Sequence, residues 1–271
     1  MLLENGVLIM SRTGYHLVDI RPWPVMARIS GFTITSGLIG LVHSFNPGIF
    51  LLFLGFASLI GTVVLWWADV ITEGTILGQH TSLVARGLRI GIILFILSEV
   101  AFFFSLFWAF FHCSLGALCQ HELWPHAGIL PITYYSIPLL NTGLLLASGV
   151  SVTWAHKAVK CWNVVEAKQA LFVTIFLGLY FTKLQWDEYN VCSFCISDGS
   201  FGSTFFVITG FHGLHVIIGT IFLIVCLGRT HLYHFHKGEN HVGLEMAIWY
   251  WHFVDVVWLF VYRFVYCWGM W

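Results

Sequence analysis

Asp, Glu, Lys and Arg are bunched into short segments of this chain, and apolar stretches long enough to cross a bilayer run between them. Ile29 to Ala68 contains none of the four. At about 1.5 Å of rise per residue, it is roughly twice what one helix needs to span about 30 Å of hydrocarbon. The break within it is His43-Ser44-Phe45-Asn46-Pro47-Gly48, whose Asn, Pro and Gly favour a tight turn. Two helices are therefore predicted before residue 70, over about 25–42 and 49–67. Later apolar windows predict helices over about 83–111, 137–155, 201–228 and 242–268. A segment over about 165–184 is harder to place, because its uncharged part, Gln169 to Thr182, is short for a crossing.

Charge settles that segment. With seven crossings, Arg12, Arg21, Arg28, Arg86, Arg89, Lys157, Lys160, Lys168, Arg229 and Lys237 share the side of the N-terminus. Of the 12 Lys and Arg, only Lys183 and Arg263 lie near the other side. This is the positive-inside pattern, and leaving out the fifth helix would move Arg229 and Lys237 across. Seven helices with the N-terminus inside is the economical topology. The opposite face receives the long connection from Cys113 to Ser136, without Lys or Arg, and the acidic Asp187, Glu188 and Asp198. No repeat divides the chain, so the expected fold is all-α, a polytopic membrane protein with one transmembrane domain over 1–271.

Composition agrees. The chain is 58% hydrophobic and 17% aromatic with only 9% charged residues, against about 25% charged in a typical soluble domain. A net charge of −1 excludes the basic field that nucleic acid binding needs. Met1 to Arg28 lacks the apolar core and small-residue cleavage site of a signal peptide, so insertion is expected to be directed by the first mature helix. Trp66, Trp67, Trp124, Trp154, Trp162, Trp186, Trp268 and Trp271 gather near helix ends, where an indole can keep its N–H in the interface. Gly143, Ala147, Ser151 and Ala155 recur every four positions as a small-residue strip that would admit a neighbouring backbone.

One residue stands out for chemistry. Glu99 is the only ionisable side chain between Ile90 and Phe111, which places it near mid-membrane. A charge there costs at least about 2.5–3.5 kcal/mol on insertion scales, so Glu99 must be neutral, partnered or turned toward protein. It reads equally well as a functional carboxyl or as an interhelical tie. Among 14 histidines, only His212, His215 and His252 lie well inside spans. His212 and His215 share one helix face, and interhelical hydrogen bonding outweighs haem or metal ligation for them. Cys192 and Cys195 form the one Cys-x-x-Cys among seven cysteines. With Cys113, Cys119, His121 and His126 expected on the same face, the pair suits a disulfide or zinc, and unpaired thiols are the plainer reading. No hydrolytic triad, phosphate loop or dinucleotide fingerprint is present. Polar residues do collect at the inner helix ends: Trp66, Trp67, Asp69, Glu73 and His80 where helix 2 leaves the membrane, Arg86 and Arg89 at the start of helix 3, and Arg229, His231 and His234 at the end of helix 6. Basic and indole groups at that depth suit phospholipid head groups, though positive-inside anchoring explains any single Arg.

Several long motifs resemble the subunit III family of haem–copper oxidases. They are WWADVITEGTILGQHT (Trp66 to Thr81), GLRIGIILFILSEVAFFF (Gly87 to Phe104), LLNTGLLLASGVSVTWAH (Leu139 to His156), QALFVTIFLGLYFTKLQ (Gln169 to Gln185), ISDGSFGSTFFVITGFHGLHVIIG (Ile196 to Gly219) and WYWHFVDVVWLFVY (Trp249 to Tyr262). The resemblance implies seven helices in two arms, helices 1–2 and 3–7, around a lipid-filled cleft. It implies a non-catalytic core subunit of cytochrome c oxidase, complex IV, the terminal respiratory enzyme that reduces O2 to water with proton pumping. Haem and copper would sit in partner subunits, none in this chain, and subunit I would be the main contact. Glu99 would be the carbodiimide-reactive intramembrane carboxylate that sustains proton uptake into subunit I. Trp66, Trp67, Glu73, His80, Arg89, Arg229 and His234 would meet head groups of phospholipids such as cardiolipin, phosphatidylglycerol or phosphatidylethanolamine.

The chain departs from the family pattern where Ala68 and Thr72 replace basic residues, where Gln79-His80 replaces a His-His pair, in the longer Arg229 to His241 loop, and in Cys192-Ser193-Phe194-Cys195. The expected location is the mitochondrial inner membrane with the N-terminus in the matrix, a bacterial inner membrane reading the same way. A proton-coupled transporter with Glu99 as carrier, a haem-bearing cytochrome, or subunit III of a quinol oxidase are the alternatives. Transporters usually show paired repeats and broken helices, which are not found here.

Overall fold

The computed structural model describes residues 14–119, 124–235 and 241–268, together with the backbone of two short strands, β1 (Leu3–Glu4) and β2 (Val7–Leu8), which pair antiparallel. Among the described residues, seven helices are long and apolar enough to cross a membrane: α1 Trp23–Val42, α2 Pro47–Thr75, α3 Ser82–Cys119, α4 Ile137–Lys160, α5 Val164–Val191, α6 Gly199–His231 and α7 Val242–Phe260. A π-helical stretch, Val261–Cys267, continues α7.

The starts of these helices follow from local chemistry. Pro lies in the first turn of α1, α2 and α4, where its missing N–H would have had no helical partner anyway. The side chain of Asn163 caps α5 by accepting the N–H of Glu166 at 3.2 Å, and Glu166 adds negative charge to that first turn. The helices outrun the apolar windows at their polar ends, since residues such as Glu73 and Glu188 remain helical. The α5 segment, the hardest to place from hydropathy, is a full helix through Val191.

The chain divides into two compact units, residues 1–87 and 88–271. In the first, α1 and α2 pack as a hairpin turned at Ser44, which adopts φ of 58°. The seam is close because Gly55 lacks a side chain: a Cβ there would lie 2.8 Å from the backbone N of Ile34. At the polar end of the hairpin, the indole of Trp23 donates to Asp69 at 2.6 Å, and Arg21 pairs with Asp69 and Glu73.

In the second unit α4, α5, α6 and α7 pack around Trp251, which is fully buried. Its ring lies over Gly178 of α5 and Gly219 of α6, and its N–H donates to Ser148 of α4 at 2.9 Å. Trp258 ties α7 to Thr142 of α4 at 2.9 Å, and Ser151 of α4 meets Thr174 of α5 at 2.7 Å. The expected strip on α4 is corrected here. Ser151 and Ala155 are buried, but Gly143 and Ala147 are exposed and the packed face runs through Thr142, Leu145, Ser148 and Val152. A strict period of four overshoots one turn of 3.6 residues by about 40° at each step, so such a strip winds off the buried face. Glu188, which sequence places beyond the fifth helix on the face opposite the N-terminus, lies within α5 and is 3% exposed. The Tyr266 hydroxyl donates to its carboxylate at 2.5 Å, and Gln185 donates at 3.2 Å.

Candidate functional site

Glu99 sits near the middle of α3, with its Oε2 2.9 Å from Nε2 of His215 on α6. The side chains are 22% and 10% exposed, respectively. The other ring nitrogen of His215, Nδ1, lies 2.7 Å from the carbonyl of Phe211, one turn earlier on the same helix. A carbonyl can only accept, so Nδ1 carries a hydrogen. The bond to Glu99 then needs one more proton between carboxyl and ring. Either the acid donates to a neutral imidazole, or an imidazolium donates to a carboxylate. Both placements leave the pair with no net charge, which is what a low-dielectric setting demands of an intramembrane acid. Phe103, Tyr250 and Phe253 surround the imidazole, with ring centroids 5.1, 6.2 and 6.1 Å away.

Along α3 and α7, Phe103, Phe104, Phe107, Trp108, Phe260 and Phe264 line an open groove of about 890 Å³ with almost no polar wall. His212, one turn from His215, is wholly buried and its Nε2 lies 3.2 Å from the carbonyl of Val254, an interhelical bond of the expected kind. His252 faces Asp255 at 3.8 Å.

The expected head-group residues fall in both units. In the first, Glu73 is held by Arg21 and by His16, whose Nε2 is 3.5 Å away, so its carboxylate is engaged inside the protein. His80 packs its ring against Gly74, where a Cβ would lie 2.6 Å from Nδ1. Trp66 is half-buried and Trp67 exposed on the same turn of α2. In the second unit, the side chain of Arg89 is 37% exposed and its Nε donates to Oε2 of Glu245 at 2.9 Å. Arg229 lies over the ring of Phe235 at 4.6 Å. His234 is beside it, and burial together with the Arg229 charge holds its imidazole below the ordinary histidine value.

Cys192 and Cys195 stand as free thiols with no bridge between them. Burial pushes the Cys192 thiol up, while Cys195 is exposed with its sulfur 3.1 Å from the Ser197 hydroxyl. His126 lies near Gly199, whereas His121 and the side chain of Cys119 fall outside the described residues. Among the described residues, the group of His, Cys, Asp and Glu close enough to share an ion is another one, His156, His241 and Glu245. Sequence reasoning passed over it because all three sit at helix ends, where such residues are common.

A family model for cytochrome c oxidase subunit III matches residues 13–270. The chain belongs to that family. Cytochrome c oxidase subunit 3 of Squalus acanthias is 54% identical over 256 residues, covering 94% of this chain and 97% of that one. The Ornithorhynchus anatinus protein of the same name is 55% identical over the same shares. That of Lumbricus terrestris is 51% identical over 261 residues, 96% and 100% of the two chains. Within this subunit III, the second unit brings together Glu99, His215 and their aromatic wall, and separately joins Arg89 to Glu245.

Proposed function

We propose that this chain serves the oxidase without redox chemistry of its own. It holds phospholipid, packs against the catalytic subunit I and sustains proton uptake there, with Glu99 as its intramembrane carboxyl. Family membership makes it a core subunit of cytochrome c oxidase, the terminal respiratory complex, and a multi-pass protein of the inner membrane. In this reading the N-terminus faces the matrix, helices 1–2 and 3–7 form two arms around bound lipid, and the haem and copper belong to partner subunits.

The Glu99–His215 bond carries the proposal. A half-buried acid mid-helix with a histidine partner can hold the shared proton, or exchange it within the pair, without net charge in the membrane. The apolar groove along α3 and α7 suits an acyl chain, and exposed Trp67 with half-buried Arg229 and His234 suits lipid head groups. Glu73, held by Arg21 and His16, belongs to the same polar rim and places their cationic groups there for a head group.

The test is Glu99→Ala in the assembled oxidase. Haem content should stay at the wild-type level while activity decays faster with successive turnovers. A variant whose activity persists through as many turnovers as wild type would remove the role assigned to Glu99.

A further inference from the structure

We propose that His156, His241 and Glu245 form a binding site for a divalent transition-metal ion of the zinc class. His156 projects from the last turns of α4, His241 caps the start of α7, and Glu245 follows one turn later on the same face. Their candidate ligand atoms all lie within 4.8 Å of one another. Oε1 of Glu245 is 3.1 Å from Nε2 of His241 and 3.9 Å from Nε2 of His156. Zinc binds imidazole nitrogen and carboxylate oxygen at about 2.0–2.2 Å in tetrahedral geometry, which sets ligand atoms roughly 3.3–3.6 Å apart. The two separations from Glu245 bracket that spacing and the third is within 4.8 Å, so an ion at the centre requires the side chains to draw together by up to about 1 Å.

An independent observation points the same way. Both imidazole Nε2 atoms are buried, and neither makes a hydrogen bond, although both approach the same carboxylate oxygen. The direction at 3.1 Å is wrong for an N–H to reach Oε1. A buried ring nitrogen without a partner costs free energy, and a shared cation would satisfy two such atoms together. The rings stand nearly edge to face, 5.8 Å apart at an interplanar angle of 61°.

The outer contacts fit as well. Arg89 binds Oε2 of Glu245 at 2.9 Å, which orients the carboxylate and leaves Oε1 for the ion. Two nitrogens, one oxygen and a fourth position open to water favour zinc, cadmium or copper(II) over magnesium or calcium, which prefer all-oxygen shells. Before metal binds, the carboxylate and the guanidinium cancel each other's charge.

The experiment uses the intact oxidase, stripped with chelator and dialysed against zinc chloride. Wild type should retain one zinc equivalent more than complexes carrying His156→Gln or His241→Gln. The zinc affinity of that site should fall at least about 100-fold with either substitution, since loss of an outer-shell partner alone costs 10–100-fold. Excess magnesium should not displace the ion. Equal zinc content in wild type and both variants overturns the proposal. If the variants do not assemble, crystals of the wild-type oxidase soaked in zinc decide the matter. An anomalous peak among His156, His241 and Glu245 supports the site, and its absence rejects it.

Discussion

Replacing His215 with Leu should uncover what the α3–α6 contact contributes, because it removes the hydrogen-bond partner that Glu99 has at 2.9 Å. Glu99 is only 22% exposed, so water replaces the lost bond poorly. Leaving a buried polar group unpaired costs about 1–3 kcal/mol. Glu99→Leu should cost a similar amount, since it orphans the Nε2 of His215. The double variant removes both polar ends, and its loss should be smaller than the sum of the two. Interhelical hydrogen bonds measured by such cycles in membranes average about 0.6 and reach about 1.7 kcal/mol. A bond that also fixes a shared proton belongs toward the upper end, so we expect a coupling of about 1–2 kcal/mol. The assay is reversible denaturant-driven unfolding of the purified chain in mixed micelles, or thermal release of the subunit from the solubilised oxidase. Strict additivity of the two single variants would refute the reasoning, because it would mean that the pair is not formed in the folded protein. Infrared difference spectra of wild type against Glu99→Gln then locate the proton, since only a neutral carboxyl shows a carbonyl stretch that the amide lacks.

Gly178→Val should destabilise the second unit by about 1–3 kcal/mol, because even a Cβ at Gly178 would lie 2.7 Å from the ring of Trp251; thermal release of the subunit measures it, and wild-type behaviour would exclude the tight α5–α7 contact. Cys195 should react with iodoacetamide faster than Cys192 near neutral pH, as burial pushes the Cys192 thiol up and leaves it less thiolate; mass-spectrometric mapping over a time course checks the order. In the same loop the Cys195 N–H binds Asp198 at 2.7 Å and holds its carboxyl below the usual carboxylate range. A carboxyl pKa lowered by folding stabilises the loop at pH above the unfolded value and loses that contribution as pH falls through the folded one. The protection of the Cys195 N–H against hydrogen exchange should therefore fall only in acid.

The seven crossings were legible because each is a length of apolar sequence, and length is what a bilayer selects. Glu99 was legible for the same reason, as a single acid in a run without others. Its partner was not, since His215 is 116 positions away and no periodicity links the two helices. The burial of Glu188 was not legible, because hydropathy only marks a carboxyl near a helix end as polar. Only the packed fold shows Tyr266 and Gln185 closing over it. Glu73 shows a similar limit from the opposite side. Its partners Arg21 and His16 come from before α1 and reach it only once the hairpin has closed, so sequence spacing carried no sign of them. The triad His156, His241 and Glu245 joins two helices whose ends lie far apart in sequence, so spacing alone carried no signal for it.

The clasp of Arg21, Trp23, Asp69 and Glu73 has a consequence for biogenesis. Every group in it belongs to the first 87 residues, so the opening pair of helices can close these contacts without residues from the other five. A nascent segment built this way can rest in the bilayer with Asp69 and Glu73 already held by Arg21 and Trp23.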